Sequence, residues 1–162
     1  MTQPIDSADR RFLQQAVDLS RSRMRAGLGG PFGAVIVRNG QVIAEGWNEV
    51  TSSNDPTAHA EVVAIRRACL AVESFSLQGA TIYSSCEPCP MCLASIYWAR
   101  LDRLVFANSR EQAADIGFDD ALIYDEIAKP IGERLIPTFH TPTDDAADVF
   151  AEWDKKADKI RY

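Results

Sequence analysis

This chain predicts an α/β fold in which the sheet is parallel in at least one part and helices lie on both faces. Short β-branched runs alternate with stretches of helical spacing. Phe32–Val37 and Gln41–Ala44 come before the helical stretch to Ala71, Ala80–Ser84 before the helical Met91–Arg100, and Arg103–Ala107 after it. Crossovers of that length join strands that run parallel. Asn39-Gly40 between the first two runs is a two-residue hairpin signal, so that pair is antiparallel.

With 162 residues the chain is expected to be one domain, large enough to form a core without disulfides. A net charge of −6 argues against a broad phosphate-binding surface and suits a small neutral substrate better than nucleic acid. The first residues lack a basic-then-apolar leader, and no uncharged run reaches membrane-spanning length, so a cytoplasmic protein without a membrane partner is expected. Of four cysteines, three fall between Cys86 and Cys92. Bridges between such close neighbours are strained, whereas metal ligation suits the spacing and a reducing compartment.

In chain order, Asp6 or Ser7 caps a helix with Leu13, Ala16, Val17, Ser20 and Met24 at helical spacing, ending at Gly27. Its Arg21, Arg23 and Arg25 scatter around the helix and read as a solvated face. Gly29-Gly30-Pro31 breaks the helix before the first strand. Asn48 falls at the exit of the second strand, where it either reaches a ligand or fixes a turn; Thr51–Pro56 reads as loop. The next helix begins near Thr57 or Ala58, with Val62, Ile65 and Cys69 on its apolar side. Pro90 suits the first turn of the helix that follows the cysteine segment. Beyond Ala107 the expectations are a short helix Glu111–Ile116, a turn Gly117–Asp120, a helix Leu122–Ile127, an edge strand Leu135–Phe139, and a last helix opened by Asp144 or Asp145. That helix carries Ala146, Val149, Phe150 and Trp153 on one side. His140 reads as a surface residue.

The chemistry lies in Thr57-Ala58-His59-Ala60-Glu61 and Cys86-Glu87-Pro88-Cys89-Pro90-Met91-Cys92. His59, Cys89 and Cys92 supply one imidazole and two thiolates, three zinc ligands that leave a fourth position for water. Cys89 and Cys92, three apart at a helix start, present both sulfurs on one side where thiolates are stabilised. Glu61 is then the acid/base beside that water. The competing arrangement is a closed cage in which Cys86 joins the other three as a structural zinc site. Glu61 would have no role in it, and Cys86 lies on the far side of Pro88 from the helical pair.

The H-x-E and P-C-x-x-C pattern resembles the zinc-dependent nucleobase deaminases. Gly30-Pro31-Phe32-Gly33-Ala34-Val35, Asn54–Glu61, Ser85–Cys92, Ile96-Tyr97-Trp98-Ala99-Arg100 and Ile116-Gly117-Phe118-Asp119-Asp120, with the terminal Tyr162, look like the bacterial guanine deaminases of the cytidine deaminase-like superfamily. The resemblance implies a three-layer α/β/α sandwich around a mixed five-stranded sheet, one Zn2+ per chain, a homodimer, and hydrolysis of guanine to xanthine and ammonia. It further implies that Asp120 holds the guanine amino group and shares the proton transfers, that Asn48 and the Ala60 N–H fix the purine's polar edges, that Phe32 lines the pocket, and that Tyr162 closes it. The segment 144–162 would be a helix and lid, contributed within the chain or by exchange between subunits. An enzyme acting on adenosine in tRNA shares the zinc signature and is the alternative, as are a deaminase of another free base and a non-catalytic zinc-stabilised binding module.

Overall fold

The computed structural model describes residues 4–161. It falls into two compact units, one ending at Ala121 and one beginning at Leu122. Four strands form the sheet of the first unit: β1 (Gly33–Arg38), β2 (Gln41–Trp47), β3 (Ala80–Cys86) and β4 (Arg103–Asn108), in the order β2-β1-β3-β4. β1 is antiparallel to both its neighbours, and β3 and β4 are parallel, with Thr81 opposite Arg103 and Cys86 opposite Asn108. Asn39 and Gly40 both take positive φ, as a type I′ hairpin requires.

The mixed sheet agrees with expectation, but among the described residues it has four strands and not five. Leu135–Phe139, the expected edge strand, is irregular. Pro137 has no N–H to give a ladder, the Leu135 N–H is taken by the Glu126 carboxylate at 2.6 Å, and the Thr138 hydroxyl donates to the Ile136 carbonyl at 2.9 Å.

Both faces of the sheet are covered, which is why β1 is a continuous apolar run. On one face α1 (Ser7–Arg25) packs Phe12 and Ala16 against Val35, Val37, Tyr83 and Val105. On the other, α3 (Ala60–Ala71) and α4 (Pro90–Trp98) set Ala60, Ala64, Ala68 and Ile96 against Ala34, Ile36, Ala80 and Ile82. A short α2 (Val50–Ser53) replaces part of the expected loop, and α5 (Arg110–Ala114) follows β4.

The buried stripe of α1 is rotated from the expected one. Phe12, Ala16, Leu19 and Ser20 face inward, while Met24 is exposed. Asp9 turns in as well, because its carboxylate takes two bonds from Arg103 at 2.6 and 2.9 Å and one from the Tyr83 hydroxyl at 2.7 Å. Nor is Arg23 simply solvated: with Arg67 it stacks on the Trp47 ring, each guanidinium 4.1 Å from the centroid.

The second unit holds α6 (Ala121–Ala128, its first residue in the first unit), a 3-10 turn at Ile131–Glu133, and α7 (Asp144–Lys155). Thr143, and not an aspartate, caps α7, its side chain accepting the Ala146 N–H. Val149, Phe150 and Trp153 of this unit are exposed. Among the described residues no helix is long and apolar enough to cross a membrane.

Candidate active site

The site is built where two helices begin. α3 starts at Ala60, later than expected, because the Asp55 carboxylate takes the Thr57 N–H at 2.8 Å and the Thr57 hydroxyl at 2.6 Å and holds residues 55–58 in a turn. His59 is therefore the N-cap of α3 and Glu61 its second residue. Cys89 is likewise the N-cap of α4, with Pro90 first in the helix, where its missing N–H costs nothing. Gly46 lets β2 lie directly on the first turn of α3: a Cβ there would sit 2.2 Å from the Ala60 carbonyl oxygen and 2.4 Å from the Ala64 nitrogen.

This docking brings the three predicted ligands together. His59 Nδ1 lies 3.5 Å from Cys89 Sγ and 3.5 Å from Cys92 Sγ, and all three donor atoms fall within 4.8 Å of one another. Bond lengths of about 2.3 Å to sulfur and about 2.0 Å to nitrogen give a tetrahedral N···S edge of roughly 3.5 Å, so the donor set fits zinc. A hydrogen bond from Cys92, then one from His59, lowers the Cys89 thiol to about 4 against its burial. Cys92, as the donor and buried, is pushed far up. His59 is raised by the Cys89 sulfur. The cluster thus offers one ready thiolate, and a dication would displace the remaining Cys92 proton.

Glu61, only 6% exposed, sits beside this cluster. Burial pushes its carboxyl above the ordinary range, opposed in part by hydrogen bonds from its own N–H, from Ser84 and from Cys92. Cys86, in contrast, turns away to the Ser109 carbonyl oxygen at 3.7 Å, and burial raises its thiol to about 11. It is not part of the ligand cluster, so the closed cage is not formed among the described residues.

Asn48 is buried at the end of β2. Its Oδ1 accepts the Gly30 N–H at 3.4 Å and the Val50 N–H at 3.3 Å, so the carboxamide oxygen fixes the turn and the amino group remains to donate. The loop can reach it because residue 29 is glycine; a Cβ there would lie 1.7 Å from the Asn48 carbonyl oxygen, at φ +156°. Phe32 meets Phe118 edge to face at 4.9 Å, which ties this loop to the turn carrying Asp120. In that turn Asp119, not Asp120, accepts the Ala121 N–H at 2.9 Å. Asp120 is partly buried, and burial first, then the negative Cys89 sulfur, raises its carboxyl. Ala60 is fully buried, and its N–H, first in the helix, has no intrahelical acceptor. His140 is exposed, as expected. Tyr162 lies outside the described residues.

Ser84 was not among the expected site residues. It is 1% exposed, and its hydroxyl donates to Glu61 Oε1 at 3.0 Å. The signal lay in the strand pattern, since alternation from Ala80 and Ile82 reserves position 84 for an apolar side chain.

Fold and site together define a zinc-dependent deaminase domain. Residues 6–108 match the family model of the cytidine and deoxycytidylate deaminase zinc-binding region, and the chain belongs to that family, whose metal is zinc. Within it, the chain is 51% identical over 151 residues to the guanine deaminase of Bacillus subtilis (strain 168), covering 93% of this chain and 97% of the relative. The X-ray structure of guanine deaminase from Bacillus subtilis matches with a TM-score of 0.93 at 49% identity, over 98% of this chain and 99% of that one. A tRNA-specific adenosine deaminase of Aquifex aeolicus is 29% identical over 126 residues, 78% of this chain and 81% of the relative.

Proposed function

We propose that this chain is a guanine deaminase, hydrolysing guanine to xanthine and ammonia with one zinc ion per chain. The observation that carries the reading is a buried Glu61 next to a three-ligand cluster from which Cys86 is turned away. The choice of guanine rests on the similarity to a guanine deaminase along nearly the whole chain.

His59, Cys89 and Cys92 hold the ion. Zinc, when bound, supplies a water whose pKa is lowered to about 7. Glu61 accepts the proton that water loses as its oxygen bonds to C2 of guanine, and places a proton on the adjacent ring nitrogen. It then helps carry the remaining proton of the added hydroxyl to the exocyclic amine, so that ammonia and not amide departs as the C2–N bond breaks and the C2 carbonyl forms. A carboxyl raised by burial suits this alternation, because it neither holds a proton too weakly nor is committed to the anion. Asp120 holds the amino group and shares the proton traffic. The Asn48 amino group and the Ala60 N–H donate to the purine's acceptor edges, and Phe32 packs along the base. Adenine's amino edge is a donor as those groups are and cannot pair with them, and each buried group left unpaired costs about 1–3 kcal/mol.

We also read the protein as a cytoplasmic homodimer in which residues 144–162 form a helix and lid, Tyr162 covering the base within the chain or across the dimer. The exposed Val149, Phe150 and Trp153 support this, as an apolar face that a partner subunit would cover.

The test is zinc content together with ammonia release from guanine, adenine, cytosine, cytidine and a tRNA anticodon stem-loop. Guanine is expected to lead by about 10²-fold, the discrimination that two unpaired groups give. Fastest release from the stem-loop would make the chain a tRNA adenosine deaminase, and bound zinc without ammonia from any of them would leave a binding module.

A further inference from the structure

We propose that Ser84 is a positioning residue for Glu61, holding one end of its carboxylate in the orientation that its work requires. The inference rests on the acid/base reading of Glu61 above and deepens it.

Ser84 sits in β3, which is paired on both sides, opposite Ala34 of β1 and Phe106 of β4. It is therefore held by strand pairing on both sides. Its side chain is on the sheet face of Ile82, beneath α3, where an unpaired hydroxyl would be costly. Two partners engage it. The hydroxyl donates to Glu61 Oε1 at 3.0 Å, and its oxygen accepts the backbone N–H of Cys86 at 3.5 Å. The second partner sets the direction of the first. A backbone N–H can only donate, so it occupies a lone pair of the serine oxygen and leaves the hydroxyl proton aimed at Glu61.

The consequence falls on the carboxylate. Oε1 receives a hydrogen bond from a donor that cannot reverse without losing Cys86, so one oxygen of the Glu61 carboxylate is held in place. Ser84 also removes a rotational freedom. Glu61 has three side-chain torsions and projects from a first helical turn, and a strand-borne hydroxyl holds one end of its carboxylate. Such a contact acts on the chemical step and leaves substrate affinity nearly untouched. A serine that merely made the burial of Glu61 tolerable would instead affect stability alone.

The experiment uses the full-length, zinc-loaded protein and guanine as substrate. Ser84→Ala is expected to keep one zinc per chain and a KM within about threefold of the parent. Its kcat should fall by about 10- to 100-fold, the range for groups that orient the working residues of a metal site. Ser84→Thr, which retains the hydroxyl on a β-branched side chain suited to a strand, should recover most of that loss. Ser84→Cys, close in size and a weak donor, takes the place of the alanine variant if that one does not fold, with a kcat loss again expected. Thermal unfolding gives a second readout: the drop in Tm from Ser84→Ala should shrink by at least half in a Glu61→Ala background, because the two side chains act as a pair.

Parental kcat in Ser84→Ala, a threonine variant no better than alanine, or equal Tm losses in the two backgrounds would overturn the proposal. Glu61→Gln run alongside keeps the failures apart. If it loses turnover while Ser84→Ala does not, only the role of Ser84 falls. If Glu61→Gln turns over normally, the acid/base reading falls and the Ser84 proposal falls with it.

Discussion

Replacing Gly46 by alanine adds one methyl group at a residue that holds neither metal nor substrate, yet it should disable the site. The new Cβ would stand 2.2 Å from the Ala60 carbonyl oxygen and 2.4 Å from the Ala64 nitrogen, both backbone atoms that no rotamer change can move. Such atoms pack without repulsion at roughly 3.4 Å, so the first turn of α3 must retreat from β2 by about 1 Å. That turn carries His59 and Glu61, whereas Cys89, Cys92 and Ser84 stay with α4 and β3. A displacement of that size between working groups costs about 10²-fold in kcat/KM. Zinc affinity should weaken by about tenfold because one of three ligands moves. Overpacking adds about 1–3 kcal/mol of destabilisation, a Tm loss of about 3–10 °C for a domain of this size. Guanine turnover, a competitive zinc titration and thermal unfolding read the three effects separately. Gly132→Ala is the control, since its Cβ meets nothing within 4 Å, and it should change stability by less than about 0.5 kcal/mol. Parental kinetics and metal affinity in Gly46→Ala would refute the claim that this contact sets the height of α3 above the sheet.

Glu61→Gln should bind zinc and fold normally while losing about 10²–10⁴-fold in turnover, the usual loss on removing an acid/base group; assays at saturating guanine with zinc quantified check it. Cys86→Ser should keep its zinc and most of its activity, whereas Cys89→Ser or Cys92→Ser should not, and zinc loss from the Cys86 variant would restore the closed cage. Asp9→Asn should destabilise the protein by about 3 kcal/mol in urea unfolding, as removal of one partner from a buried ion pair does. The Arg103 guanidinium holds the Asp9 carboxyl well below the usual range, so this stability is fully present above the unfolded pKa of about 3.9 and is lost as the pH falls below it. The variant's stability should accordingly decline less steeply in acid than the parent's. Deleting Asp158–Tyr162 should leave a folded zinc protein with strongly reduced guanine turnover; mixed dimers of truncated and Glu61→Gln chains then reveal whether the lid acts across subunits, and unchanged kinetics would discard the lid.

The strands of the first unit and the ligand cluster were legible because each rests on local chemistry. β-branched runs, Asn39-Gly40 and Pro90 act within a few residues of themselves, and His59, Cys89 and Cys92 are of residue types with few other uses at that spacing. Long-range partners were not legible. The stripe of α1 rotated because Asp9 is pulled inward by Tyr83 and Arg103, 74 and 94 positions away. The α3 start moved because one aspartate side chain, Asp55, out-competed the helix for Thr57. Asn48 looked like either a turn former or a ligand contact, and the structure gives its oxygen to the turn and leaves its amino group over. Leu135–Phe139 had the composition of a strand, but Pro137 and the Glu126 carboxylate divert its backbone.

His59 and Cys89 also share an omission. Asp6, Ser109 and Thr143 stop their helices with a side-chain oxygen, but neither α3 nor α4 has such a stopper, because the side chain at that position is turned toward the other helix. Forgoing it costs about 0.5–2 kcal/mol at each helix start. A zinc ion held by both residues clips the two loose ends to one another. Such an ion would join the metal centre and the turn that bears Glu61 into one piece of structure, so that holding the metal also helps to hold the acid/base residue.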